Sequence, residues 1–156
     1  FLVTARPDLM PVDFKRQGRA EEHIALFYPE TVEEKKELFV TMLKKTNLKY
    51  FDPESLGDEF FKTTTVTSGA EMEAALTRAK FRAVSQGVEL VTAEIVKAAF
   101  DDFLPPTYPA EIELMNYAAV LECTSKALLP EKYKAMTRQD VVAKVQELKD
   151  LVEQRI

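Results

Sequence analysis

Arg16 and Arg19, three positions apart around Gly18, are the side chains of this sequence best suited to chemistry. A guanidinium fork donates two parallel hydrogen bonds to phosphate oxygens and stays charged throughout the physiological range. Two such groups on one turn suit the charge that spreads over a γ-phosphate during phosphoryl transfer. Without their surroundings, Lys15, Arg16 and Arg19 read more simply as a solvated basic loop. Other reactive types are sparse. His23 and Cys123 are the single histidine and cysteine, so no metal-ligand cluster is expected. No elbow sequence supplies a nucleophile for a Ser/His/Asp or Cys/His hydrolase. His23 reads as a satisfied structural histidine, Cys123 as a buried inert thiol, and Asp101-Asp102 as solvated charge. The glycines at 18, 57, 69 and 87 do not form the G-x-x-x-x-G-K-[ST] loop that cradles phosphates, and an acidic strand-end pair for magnesium is also missing.

The surroundings of the arginines carry a resemblance. Thr4-Ala5-Arg6-Pro7-Asp8, then Arg16-Gln17-Gly18-Arg19, then the apolar run 23–28, are similar to a signature of the AAA branch of the AAA+ ATPases. There a core strand ends in a Thr-Asn-Arg-Pro-Asp turn, and a loop ending in Arg-Pro-Gly-Arg leads into the last core strand. The resemblance implies that Arg16 and Arg19 are arginine fingers reaching a neighbour's nucleotide in a ring, expected to be a hexamer, that remodels a protein substrate. It also implies ATP as cofactor, with Mg²⁺ held by an upstream part of a longer chain, since Phe1 to Thr4 reads as the end of a strand. Ala5 departs from the pattern: family members carry Asn there to orient the attacking water, so hydrolysis is expected to be slow or to use another group. Thr4, next door, would point to the opposite face of a strand.

A second match lies farther on. Ser68-Gly69-Ala70-Glu71 resembles the Ser-Gly-Ala-Asp/Glu start of a helix in the family's lid, where the small pair Gly69 and Ala70 lets the helix end approach the nucleotide. Met42 falls where the lid's first helix lies near the adenine, although a methionine on an apolar stripe is more often core. The resemblance covers residues 1 to about 104 and does not extend to 105–156.

Several helices must position these residues. Thr31 to Glu34 reads as a capping box opening a helix to about Asn47, with Leu38, Phe39, Met42 and Leu43 on one stripe. Asp52-Pro53 starts a second helix carrying Leu56, Phe60 and Phe61, and the run Thr63 to Thr67 ends it. Ser68 and Glu71 cap a third, with Met72, Leu76, Ala79 and Ala83 buried and Arg78 and Arg82 on a solvated or ion-paired face; Gly87 ends it. A fourth runs from Thr92 to about Phe103. Leu104 to Pro109 is a stiff linker, because each proline fixes its φ and discourages helix before it. Ala110 to Lys126 then reads as a helix burying Ile112, Met115, Ala119 and Val120, and Thr137 caps a last helix burying Val141, Val145, Leu148 and Val152.

The expected fold is mainly α: a remnant of an α/β core over 1–28, a four-helix AAA+ lid over 29–104, and a linker with a helical extension over 105–156. The 156 residues are 46% hydrophobic and 30% charged, enough apolar surface for one or two packed units. A net charge of −5 disfavours a dedicated nucleic-acid binder. One cysteine excludes an intrachain disulfide, and no stretch approaches the roughly 20 apolar residues that span a bilayer, so a cytoplasmic setting without a membrane partner is expected. Without a phosphate loop the chain alone is not expected to hydrolyse ATP. The alternative is a noncatalytic helical interaction module derived from such a lid.

Overall fold

The computed structural model describes residues 2–16, 18–48, 51–105 and 108–154. The first residue of the expected strand, Gln17 of the arginine turn and positions 106 and 107 of the linker lie outside them. In chain order the α-helices are α1 (Val12–Lys15), α2 (Val32–Lys45), α3 (Asp58–Thr63), α4 (Gly69–Ser85), α5 (Ala93–Asp101), α6 (Pro109–Glu122), α7 (Glu131–Lys134) and α8 (Arg138–Glu153), with 3₁₀ turns at Pro7–Leu9, Pro53–Leu56 and Lys126–Leu128. The fold is mainly helical, as expected. The strands expected at 1–4 and 23–28 are absent: no described residue is in a ladder. A strand needs a neighbour's N–H and C=O groups along its length. Among the described residues only His23 finds an equivalent, in Thr124. Side chains there still alternate as in extended chain, with His23, Ala25 and Phe27 half-buried and Ile24, Leu26 and Tyr28 exposed.

The chain divides into two units, Tyr28–Pro106 on one hand and Phe1–Phe27 with Thr107–Ile156 on the other. Residues 1–27 and 107–156, at opposite ends of the sequence, therefore share one unit, although their composition gives them separate readings.

In the unit Tyr28–Pro106, α2 and α4 both begin with closed capping boxes. Thr31 Oγ1 accepts the Glu34 N–H at 3.1 Å while Glu34 accepts the Thr31 N–H at 3.0 Å. Ser68 and Glu71 repeat this at 3.1 and 2.9 Å, so two of the backbone donors orphaned at each start are satisfied locally. Phe39 of α2 is the hub of the core, its ring 5.4 Å from Phe61 and 5.9 Å from Phe100 between centroids. Met72, Ala75, Leu76 and Ala79 of α4 are buried with it, and Ala99 of α5 completes a small-residue seam that lets α4 and α5 pack closely. Val66 is fully buried inside the polar threonine run. The helix expected from Asp52 is broken at Gly57, where φ is 74° and ψ 162°. Arg82 pairs with Asp102 at 2.6 Å, so that carboxylate is not simply solvated, and Arg78 lies over the Phe103 ring at 4.7 Å.

In the other unit α6 packs mainly on α8. The buried side of α6 is Ala110, Leu114 and Ala118, not Ile112, Met115, Ala119 and Val120. Apolar residues surround this helix, so its periodicity marks no single face. Ala110 and Leu114 cluster with Leu148, with Val145 and Val152 packed alongside. α6 ends at Glu122 rather than Lys126, because Cys123 turns extended and Thr124 leaves to bond His23. The Cys123 thiol is half-buried and donates to the Ser125 carbonyl at 3.4 Å.

Candidate functional site

The three residues expected at a nucleotide, Met42, Gly69 and Ala70, fall at one place on the α2–α4 pair. The capping box sets the start of α4 at Gly69 and turns it onto α2: a methyl group built on Gly69 would lie 3.8 Å from both Sδ and Cε of Met42 and 3.6 Å from Leu38. Gly69 and Met42 are half-buried and Ala70 is exposed, so the cluster is open to solvent on the Ala70 side. The Gly69 and Ala70 N–H groups make no protein hydrogen bond among the described residues. Beside them the Glu71 carboxylate accepts from the Thr67 and Ser68 N–H groups. That negative charge sets the helix start against phosphate. The place is a small surface patch of one thioether and two small residues, beside a carboxylate.

The arginines lie in the other unit. Arg6 is committed: its Nε and Nη2 donate to the two oxygens of Asp8 at 3.0 and 2.8 Å, a bidentate pair that holds the Asp8 carboxyl below the usual carboxylate range. Arg16 and Arg19 are not committed in this way. Arg16 approaches Asp13 only to 3.7 Å, with both side chains more than 70% exposed (73% and 71%), a pair of little worth in water. Arg19 is exposed and makes no ion pair among the described residues. Its N–H donates to the Arg16 carbonyl at 3.2 Å, closing a turn through Gly18 at φ 88°, a left-handed conformation that glycine adopts without strain.

Two anchors hold this turn, and sequence reasoning found neither. Lys15, read as part of a solvated loop, instead donates to Glu122 Oε1 at 2.6 Å, with only 17% and 29% of the two side chains exposed. Beyond the turn, His23 Nδ1 lies 2.9 Å from the Glu122 carbonyl, which requires that Nδ1 carry the hydrogen, and the His23 N–H donates to Thr124 Oγ1 at 3.0 Å. A carboxylate at a helix C-terminus opposes the macrodipole and calls for a cation, but that α6 closes on Glu122 is seen only in the structure. α6 has no basic residue in its last turn, and Lys15 supplies the charge.

No group of three or more His, Cys, Asp or Glu residues among those described is placed to hold a metal ion. A cleft of about 230 Å³ between α6, α7 and α8, lined by Val120, Tyr133 and Val141 among others, contains none of Arg16, Arg19, Met42, Gly69 or Ala70. Its volume lies below the roughly 300 to 1,000 Å³ of ligand pockets. No described helix is long and apolar enough to cross a membrane.

No family model, curated protein or solved structure matches this chain.

Proposed function

We propose that this chain is the C-terminal part of an AAA-type ATPase, in which residues 29–104 are the lid and the turn bearing Arg16 and Arg19 serves a neighbouring subunit of a ring that remodels a protein substrate. The observation that carries this reading is the state of the arginines: Arg6 is consumed by Asp8, whereas Arg16 and Arg19 stand on a closed turn, exposed and without a strong carboxylate partner. Exposed guanidinium groups of this kind can bind phosphate oxygens bidentately from outside the molecule, which supports the reading. Gly69, Ala70 and Met42 supply a surface for the base, and phosphates and Mg²⁺ would be held by other parts of a longer polypeptide. When bound, ATP supplies the reacting phosphoryl group; the residues of this chain position the base and neutralise charge.

The test is steady-state ATP hydrolysis by a longer polypeptide that includes a phosphate-binding loop, at concentrations spanning assembly. Wild-type turnover should rise with assembly and fall at least about a thousandfold on Arg19→Ala, within the range of arginine fingers supplied in trans. Gly69→Ala isolates the lid contact: the added methyl makes only ordinary contacts, so folding stability should not fall and nucleotide affinity alone should respond. An inactive wild type, or turnover indifferent to Arg19, favours the second reading, a noncatalytic interaction module, which Ala5 in place of a water-orienting asparagine supports.

A further inference from the structure

The turn bearing Arg16 and Arg19 is pinned at both ends to one short piece of chain a hundred residues away. Lys15 immediately precedes it and ends on the Glu122 carboxylate; His23 follows it and ends on the Glu122 carbonyl and on Thr124. The Thr124 N–H and hydroxyl return bonds to the His23 carbonyl at 3.2 and 3.5 Å, so His23 makes four hydrogen bonds with residues 122–124. Closing a short loop onto a fixed base removes most of its conformational freedom, and Gly18 inside it supplies the left-handed turn that the closure needs. No other described contact fixes residues 16–22 so firmly: Arg16 has only the long, exposed approach to Asp13.

We propose that Glu122 and Thr124, at the end of α6, are positioning residues that set the pose of the arginine turn. The pose of Arg16 and Arg19 then depends on the unit built by α6 and α8, and whatever shifts the end of α6 shifts the arginines. Residues 107–156 thereby control the arginine site while contributing no group to the chemistry. The functional half of this proposal rests on the arginine-finger reading above; the structural half does not.

The geometry gives each half its own test. In the 156-residue chain, ¹⁵N relaxation and amide exchange report the order of residues 18–22. Glu122→Gln and Lys15→Met should each loosen these amides while leaving the exchange of α4 unchanged, and the swapped pair Lys15→Glu with Glu122→Lys should restore part of the order. In the longer, assembling ATPase the single variants should lower kcat by about tenfold to a hundredfold with KM unchanged, because a misplaced group costs transition-state contact without disturbing nucleotide binding. Unchanged amide order in both single variants overturns the positioning role outright. Loosened amides with unchanged kcat overturn the control of catalysis. If Arg19→Ala leaves turnover unaffected, the arginine-finger reading fails, and the amide measurements still decide whether Glu122 holds the turn.

Discussion

Gly57 stands at φ 74° and ψ 162°, a region that only glycine occupies at low cost, and it separates the turn Pro53–Leu56 from α3. A β-carbon there meets no neighbour within 4 Å, so any penalty of substitution is backbone strain and not a clash. Gly57→Ala should therefore destabilise the protein by about 1 to 3 kcal/mol in urea denaturation, with the m-value unchanged. Sequence reading placed this glycine inside one continuous helix, because its φ is set by the packing of Leu56 and Phe61 on the same core. Arg6 illustrates the same limit. Its position two residues from Asp8 was visible, yet whether it would reach Asp8 or a ligand depended on backbone geometry that spacing does not encode.

Capped helix N-termini were the most legible elements. The boxes at Thr31/Glu34 and Ser68/Glu71, and the Thr137 cap with Asp140 at its third helical position, all formed, since every partner lies within three residues and no distant contact is needed. Glu34 has its carboxyl pulled below the usual value by the Thr31 N–H and then the Glu30 N–H, and Asp140 by the Thr137 hydroxyl and N–H. A lowered folded pKa means that the stabilisation is complete above the unfolded values of about 4 and is lost as pH falls through the folded ones. A Glu34→Gln, Asp140→Asn double variant should accordingly lose less stability than wild type on acidification from about pH 5 to pH 3, monitored by far-UV circular dichroism under denaturant. Helix C-termini were less legible. α2 closes on the half-buried Lys80 of α4, whose ammonium donates to the Thr46 carbonyl at 3.0 Å, a contact spanning 34 positions. Lys80→Met keeps the apolar stem and removes that donor, and it should cost about 1 to 2 kcal/mol in thermal or chemical unfolding.

At the scale of the molecule the two units hold unequal cores. One cluster runs through α2, α3, α4 and α5 around Phe39, Phe61, Met72 and Val96, while the cluster of the other unit consists of Ala110, Leu114 and Leu148 with partly exposed neighbours. Amides of α2 and α4 should exchange more slowly with solvent than those of α6 and α8, and Phe39→Ala should cost about 3 to 5 kcal/mol, because four other aromatic rings surround the space it leaves. The Phe39 and Met72 stripes were legible because α2 and α4 have one apolar face each. α6 has apolar residues on several sides, so the face read from its spacing, Ile112, Met115, Ala119 and Val120, is not the one it buries, Ala110, Leu114 and Ala118. By itself the sequence determined the helical class, the capped starts of α2, α4, α5 and α8, and most of the residues that line the larger core, since these follow from contacts within one or two turns of chain. Only the tertiary structure decided that residues 1–27 join 107–156, that His23 bonds to Thr124 while 23–28 enters no sheet, and that Glu122 anchors the arginine turn. Those outcomes turn on hydrogen bonds between groups about a hundred residues apart, whose formation depends on the folded path between them and leaves no local pattern.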